Sequence, residues 1–125
     1  MKKLTIGLVA HDAKKDAMCG WTTKHKAHLD GHSLFGTGTT GSRITEATGL
    51  DVTCLKSGPL GGDQQLGSMI CEEALDALIF LIDPLSPHPH DVDIKALIRL
   101  ATLYNIPYAC NESTASLIIE SLCSE

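Results

Sequence analysis

Four short stretches of this chain carry residues that could do chemistry. Residues 57–65 read SGPLGGDQQ: three glycines and a proline lead to one carboxylate, Asp63, and two amides. Glycine weakens regular structure, so such a run answers a turn that needs positive φ or a ligand that must come close to the backbone. Asp63 is therefore a helix cap or a working group. AHDAKK (10–15) sets His11, Asp12, Lys14 and Lys15 at the start of a helical stretch. Lys15 could reach back to meet a phosphate; taken alone, the stretch reads equally as a capping Asp with solvated lysines.

GTGTTGS (36–42) matches G-x-G-x-x-G through Gly36, Gly38 and Gly41, and it nearly matches a P-loop. Ser42 stands where the P-loop lysine belongs, which argues against a nucleoside triphosphate. A dinucleotide is also a poor fit, because the glycines follow the second strand and the next strand ends in Lys56 rather than an acid. What remains is an anion cradle of backbone N–H groups with the hydroxyls of Thr37, Thr39 and Thr40 at a helix N-terminus, or else a glycine turn with capping threonines. PHPHDVD (87–93) crowds His88, His90, Asp91 and Asp93 together. A proline-interrupted loop gives no register to converge metal ligands, and no further Cys or His supports zinc. One imidazole aimed at a substrate oxygen, with acids orienting it, fits better; the alternative is Asp91 capping a helix beside exposed histidines. His25, His28 and His32 sit among lysines and read as a solvated face.

An anion cradle, a lysine, a carboxylate and an imidazole, with no metal or cofactor signature, suit proton abstraction beside a carbonyl on a small phosphorylated substrate. Asp63 would be the base, and a neutral His90 would polarise the carbonyl and support the enediolate, a division of labour shared with triosephosphate isomerase. An exposed Asp is a weak base, so this chemistry expects a site that takes Asp63 out of water. The angle between the C–O bond to phosphate and the enediolate plane then decides between isomerisation and loss of phosphate.

The elements that must position these groups are legible as short apolar runs: 4–10, 32–37, 51–55, 76–82 and, weakest, 106–110. Such runs suit strands of a parallel sheet covered on both faces. Helical stretches lie between them, over 12–30, 42–48, 64–75, 93–105 and 113–122, the last with Ser113 or Asn111 as its cap. In 93–105, Ile94, Leu97, Ile98, Ala101 and Leu103 fall broadly at helical spacing. The alternation predicts an α/β fold: a single-domain doubly wound sandwich over residues 1–125 with a mostly parallel five-stranded sheet. Ligands of such sheets bind beyond the carboxyl ends of the strands, where all four chemical stretches fall.

Composition narrows the partners. The 125 residues suit one domain, and 43% hydrophobic with 20% charged residues is ordinary globular usage. Ten basic against fifteen acidic residues give a net charge of −5, and aromatics are few, which argues against a nucleic acid. No apolar run nears the roughly 20 residues that span a bilayer. MKKLTIGLVAHD begins like a weak signal peptide, but His11-Asp12 ends the apolar run and no small-residue cleavage site follows. Five scattered cysteines without CxxC spacing read as free thiols in a reducing cytoplasm.

Taken together, LVAHD (8–12), GTGTTG (36–41), SGPLGGDQQ (57–65), DPLSPHPHDVDIKALIRLA (83–101) and YNIPYACNESTA (104–115) resemble the methylglyoxal synthase family. The likeness runs in order from about residue 4 to residue 119, and GPxGGDQQ with PHDxD is its most specific part. The resemblance implies a cytoplasmic, homohexameric lyase that converts dihydroxyacetone phosphate to methylglyoxal and inorganic phosphate without metal or organic cofactor, and that phosphate inhibits. It implies Asp63 as base and His90 as the group that binds and polarises substrate oxygens. By the same resemblance His11, Lys15, Thr37, Gly38, Thr39, Thr40, Ser57 and Gly58 hold substrate and phosphate, and Asp12 and Asp93 support orientation and proton handling. Some members add a C-terminal arginine that reaches a neighbouring subunit's phosphate; here the arginines are Arg43 and Arg99 and the sequence ends SLCSE, so that contact is expected to differ. Two other readings stay open: a phosphorylated-effector sensor like the regulatory domain of carbamoyl phosphate synthetases, and an aldose–ketose isomerase of the same triose phosphate.

Overall fold

The computed structural model describes residues 3–85 and 91–123. Its five strands are β1 (Thr5–Ala10), β2 (Ser33–Thr37), β3 (Val52–Leu55), β4 (Ala77–Leu81) and β5 (Tyr108–Ala109). They form one sheet in the order β3-β2-β1-β4-β5, and every pairing is parallel. The helices are α1 (Lys15–Lys24), α2 (Lys26–Leu29), α3 (Thr40–Thr48), α4 (Gly62–Cys71), α5 (Asp91–Leu103) and α6 (Glu112–Leu122).

Period-two alternation divides the central strands between two cores. Ile6, Leu8 and Ala10 of β1 and Ala77, Ile79 and Leu81 of β4 join Met18, Trp21, Ile44, Ala115 and Ile119 from α1, α3 and α6. Val9, Leu78 and Phe80 point the other way, into Leu66 and Ile70 of α4 and Ile94, Leu97 and Ala101 of α5. Helices thus cover both faces, as the apolar runs predict, and β4 is buried along its whole length.

The boundaries differ from the sequence expectation in instructive places. The stretch 12–30 is a 3-10 turn over Asp12–Lys14 followed by α1 and α2, broken at His25. α3 starts at Thr40 rather than Ser42, and α4 at Gly62 rather than Gln64, which brings Asp63 inside a first helical turn. Asn111, not Ser113, caps α6: its side-chain oxygen accepts from the Thr114 N–H at 2.9 Å. Leu103 lies at the end of α5 and is 65% exposed, outside the core stripe.

The histidines near α1 are not a solvated face. His25 is buried, its Nε2 lies 3.0 Å from Ser116 Oγ, and its ring packs on Trp21. His32 accepts the Leu4 N–H on Nδ1 at 2.9 Å. His25 ties the end of α1 to α6 and His32 holds the residue that leads into β1, uses that neighbouring lysines in the sequence conceal.

Candidate active site

In the order β3-β2-β1-β4-β5 the chain winds outward on both sides from β1 and β4, and a doubly wound sheet opens its crevice at that switch point. A cavity of about 360 Å³ lies there. Its walls come from the carboxyl ends of four strands: His11, Asp12 and Lys15 after β1; Thr37, Gly38 and Thr40 at β2; Ser57 and Gly58 after β3; and Asp83 after β4. Polar groups following β1, β2, β3 and β4 thus share one cavity, while Asp63 and Asp93 do not line it and residues 86–90 lie outside the described residues.

Several backbone bonds hold the loops in place. The Lys56 N–H donates to Gln65 Oε1 at 2.8 Å, and the Lys56 carbonyl accepts the Gly38 N–H at 3.2 Å. The end of β3 is thereby pinned between α4 and the turn before α3. Gly38 turns with φ +56, in the left-handed region. Its amide is engaged with Lys56, so it is not one of the anion donors that the glycine pattern suggests. Gly36 and Gly41 serve packing, since a Cβ on Gly36 would lie 2.9 Å from the Gly41 Cα. The part of this loop that lines the cavity is Thr37 and Thr40, the latter in the first turn of α3, whose amides have no intrahelical acceptor. Thr39 precedes that turn, is exposed and does not line the cavity.

Lys15 begins α1 with its side chain only 17% exposed, and its ammonium meets Asp12 Oδ1 at 2.6 Å. Asp12 itself is almost fully exposed at the rim. Behind Asp12, His11 is buried; its Nδ1 accepts the Asp83 N–H at 2.9 Å and its ring stands edge-on to Phe80. Asp83 is a lining residue the sequence reading passed over; its only signal there was its place directly after a buried strand.

Asp63 is 3% exposed, so the carboxylate is out of water as the chemistry requires. It does not line the larger cavity. Its carboxylate lies behind Gly58, where a Cβ would come within 3.2 Å of Oδ1. It lines a second cavity, of about 170 Å³, with Gln64 and Asp93. Gln64 Nε2 donates to Asp93 Oδ1 at 2.9 Å, which fixes Asp93 of α5 beside α4. His88 and His90 lie outside the described residues, as does the side chain of Asp91. Among the described residues no group of three or more His, Cys, Asp or Glu is placed to hold a metal ion.

Residues 17–110 match the family model described as the MGS-like domain. That span takes in Thr37, Ser57, Asp63 and Asp93 and begins after His11, Asp12 and Lys15. The chain is 57% identical to a methylglyoxal synthase of Pseudoalteromonas atlantica, across 94% of this chain and 87% of that protein. It is 59% identical to one of Oleidesulfovibrio alaskensis, across 93% and 80%. A crystal structure of methylglyoxal synthase from Elizabethkingia anophelis superposes with a TM-score of 0.88 at 51% identity, covering 94% of this chain and 77% of that one.

Proposed function

The chain belongs to the methylglyoxal synthase family, and from that premise we propose how its site works. It is a carbon–oxygen lyase that converts dihydroxyacetone phosphate to methylglyoxal and inorganic phosphate. The carrying observation for the mechanism is the buried Asp63 carboxylate directly behind Gly58, a glycine that itself lines the cavity with Lys15 and His11.

In this reading the phosphate of the substrate sits against Lys15, Thr37, Thr40 and Ser57, at the N-terminus of α3. Asp63 removes a proton from the hydroxymethyl carbon beside the ketone. The C–H electron pair forms the enediolate, whose charge His11 and His90 support with hydrogen bonds. The hydroxyl on that carbon gives up its proton as its oxygen becomes the aldehyde carbonyl, and the C=C electron pair shifts and expels phosphate as the C–O bond on the other side breaks. The enol so formed becomes methylglyoxal when a proton adds to its terminal carbon and its O–H proton leaves. Gly58 has no side chain to keep the base from the substrate. Asp93, held by Gln64, orients the base, and Asp12 keeps Lys15 in position.

We also infer one domain working as a homo-oligomer, a homohexamer by resemblance, in the cytoplasm. Leu60, Leu85 and Val92, respectively 75%, 93% and 78% exposed in segments bordering the site, support burial against another copy. Five free cysteines support a reducing compartment. Among the described residues no helix is long and apolar enough to cross a membrane.

The test is product identity. Protein incubated with dihydroxyacetone phosphate should release methylglyoxal and phosphate in equal amounts. Glyceraldehyde phosphate instead would make it an isomerase, and binding without product would make it a sensor.

A further inference from the structure

We propose that His11 acts as a neutral imidazole locked in its Nε2–H form, donating a hydrogen bond to the substrate oxygen that gains negative charge, rather than as an imidazolium paired with the phosphate. The role in turnover rests on the reaction proposed above; the locked form of the ring does not.

A neutral imidazole has one donor nitrogen and one acceptor nitrogen, and its surroundings choose between them. Here the choice is made by a backbone amide. The Asp83 N–H donates to Nδ1 at 2.9 Å, in a buried bond that joins the ends of β1 and β4. Nδ1 must offer its lone pair, so the ring proton belongs to Nε2. An imidazolium would set an Nδ1–H against the Asp83 N–H, and that amide would lose its acceptor in a place 8% exposed.

The ring has little freedom to turn away from this arrangement. The His11 N–H donates to the Leu81 carbonyl at 3.1 Å, which anchors the residue to β4. Phe80 meets the ring edge-on, with centroids 5.3 Å apart at 78°. The Asp83 side chain folds the following turn by accepting the Leu85 N–H on Oδ1 at 3.1 Å. A flipped ring would present a carbon to the Asp83 amide.

A neutral donor is the appropriate partner for an enediolate. It stabilises charge on oxygen through a fixed dipole, whereas an imidazolium is acidic enough to hand over its proton and quench the intermediate before phosphate leaves. The phosphate charge then falls to Lys15 and the first turn of α3, which are already at the cavity.

The experiment pairs a spectroscopic readout with kinetics on the full chain. Long-range proton–nitrogen NMR of protein labelled with ¹⁵N-histidine reads the tautomer, with His11 assigned by the signals missing from His11→Gln. The expected result at neutral pH is an unprotonated Nδ1 and a protonated Nε2; a protonated Nδ1 or an imidazolium overturns the proposal. His11→Asn, which retains a polar group near Nδ1 only, should lower kcat by about a hundredfold. His11→Gln, which restores an N–H near Nε2, should lose only about tenfold. Equal losses in the two variants overturn the donor role. Wild-type protein that yields no methylglyoxal overturns the parent reaction, and with it that role, while the NMR spectrum still decides the tautomer.

Discussion

Gln64 and Asp93 stand 29 residues apart in the chain, and the amide nitrogen of the first donates to a carboxylate oxygen of the second at 2.9 Å. The bond joins the turn that carries the buried Asp63 to the first turn of α5, beside the segment that carries His90. It explains one of the two amides in GGDQQ; Gln65 accounts for the other by accepting the Lys56 N–H. Gln64→Leu should lower kcat by about tenfold and leave KM nearly unchanged, in line with the ~1.5 kcal/mol of a hydrogen bond to a charged group. Steady-state kinetics check this, and Gln64→Glu should be worse, because it faces Asp93 with a like charge.

Lys15 predicts the opposite kinetic pattern. Its side chain is largely covered and lines the cavity, with Asp12 as counter-ion. Lys15→Ala would remove the proposed phosphate contact and leave Asp12 without its lysine partner beside an incoming anion. KM should rise by about tenfold or more, with a smaller fall in kcat. An unchanged KM would return Lys15 to the solvated lysines.

Two neighbouring glycines should separate folding from catalysis. A Cβ on Gly62 would lie 1.9 Å from the Lys56 carbonyl oxygen, which is itself held by the Gly38 N–H. Gly62→Ala should therefore destabilise by about 3 kcal/mol or more, read as a loss of Tm. The three heavy atoms nearest to a Cβ on Gly58 all belong to the Asp63 carboxylate, the first at 3.2 Å. Gly58→Ala should keep most of the stability and lose most of the turnover.

Acid should loosen the α1–α6 contact. Burial holds the His25 imidazole below its ordinary 6.5; Glu120 opposes this, and His28 and Lys24 reinforce it. The unfolded chain therefore binds the proton first. Stability is complete above about 6.5 and falls as the pH drops from there toward the lower folded value. Ser116, which also accepts the Trp21 Nε1–H at 3.1 Å, is the partner in this contact. Thermal melts from neutral to mildly acid pH should show falling Tm, with a flatter fall in His25→Gln.

Much of the cavity lining is legible because strand ends are marked by abrupt changes of residue type: HD after LTIGLVA, GTGTTG after LF, KSGPLGGD after TCL. Position in an alternating α/β chain then places those groups at one edge. What could not be read depends on contacts between distant segments. No local pattern shows that Gly38 gives its amide to Lys56, that Asp83 reaches His11, or that His25 is buried against Ser116. Helix starts were misjudged by two residues at α3 and α4 because glycine and threonine, poor helix formers, occupy first turns that tertiary packing stabilises.

The most direct test compares wild type with Asp63→Asn on dihydroxyacetone phosphate, following methylglyoxal and free phosphate together in chelator-treated protein. Wild type should release both in equal amounts. Asp63→Asn should keep its fold and its phosphate binding while turnover drops by about a thousandfold or more. Near-native kcat in Asp63→Asn would contradict the assignment of the buried carboxylate as the base.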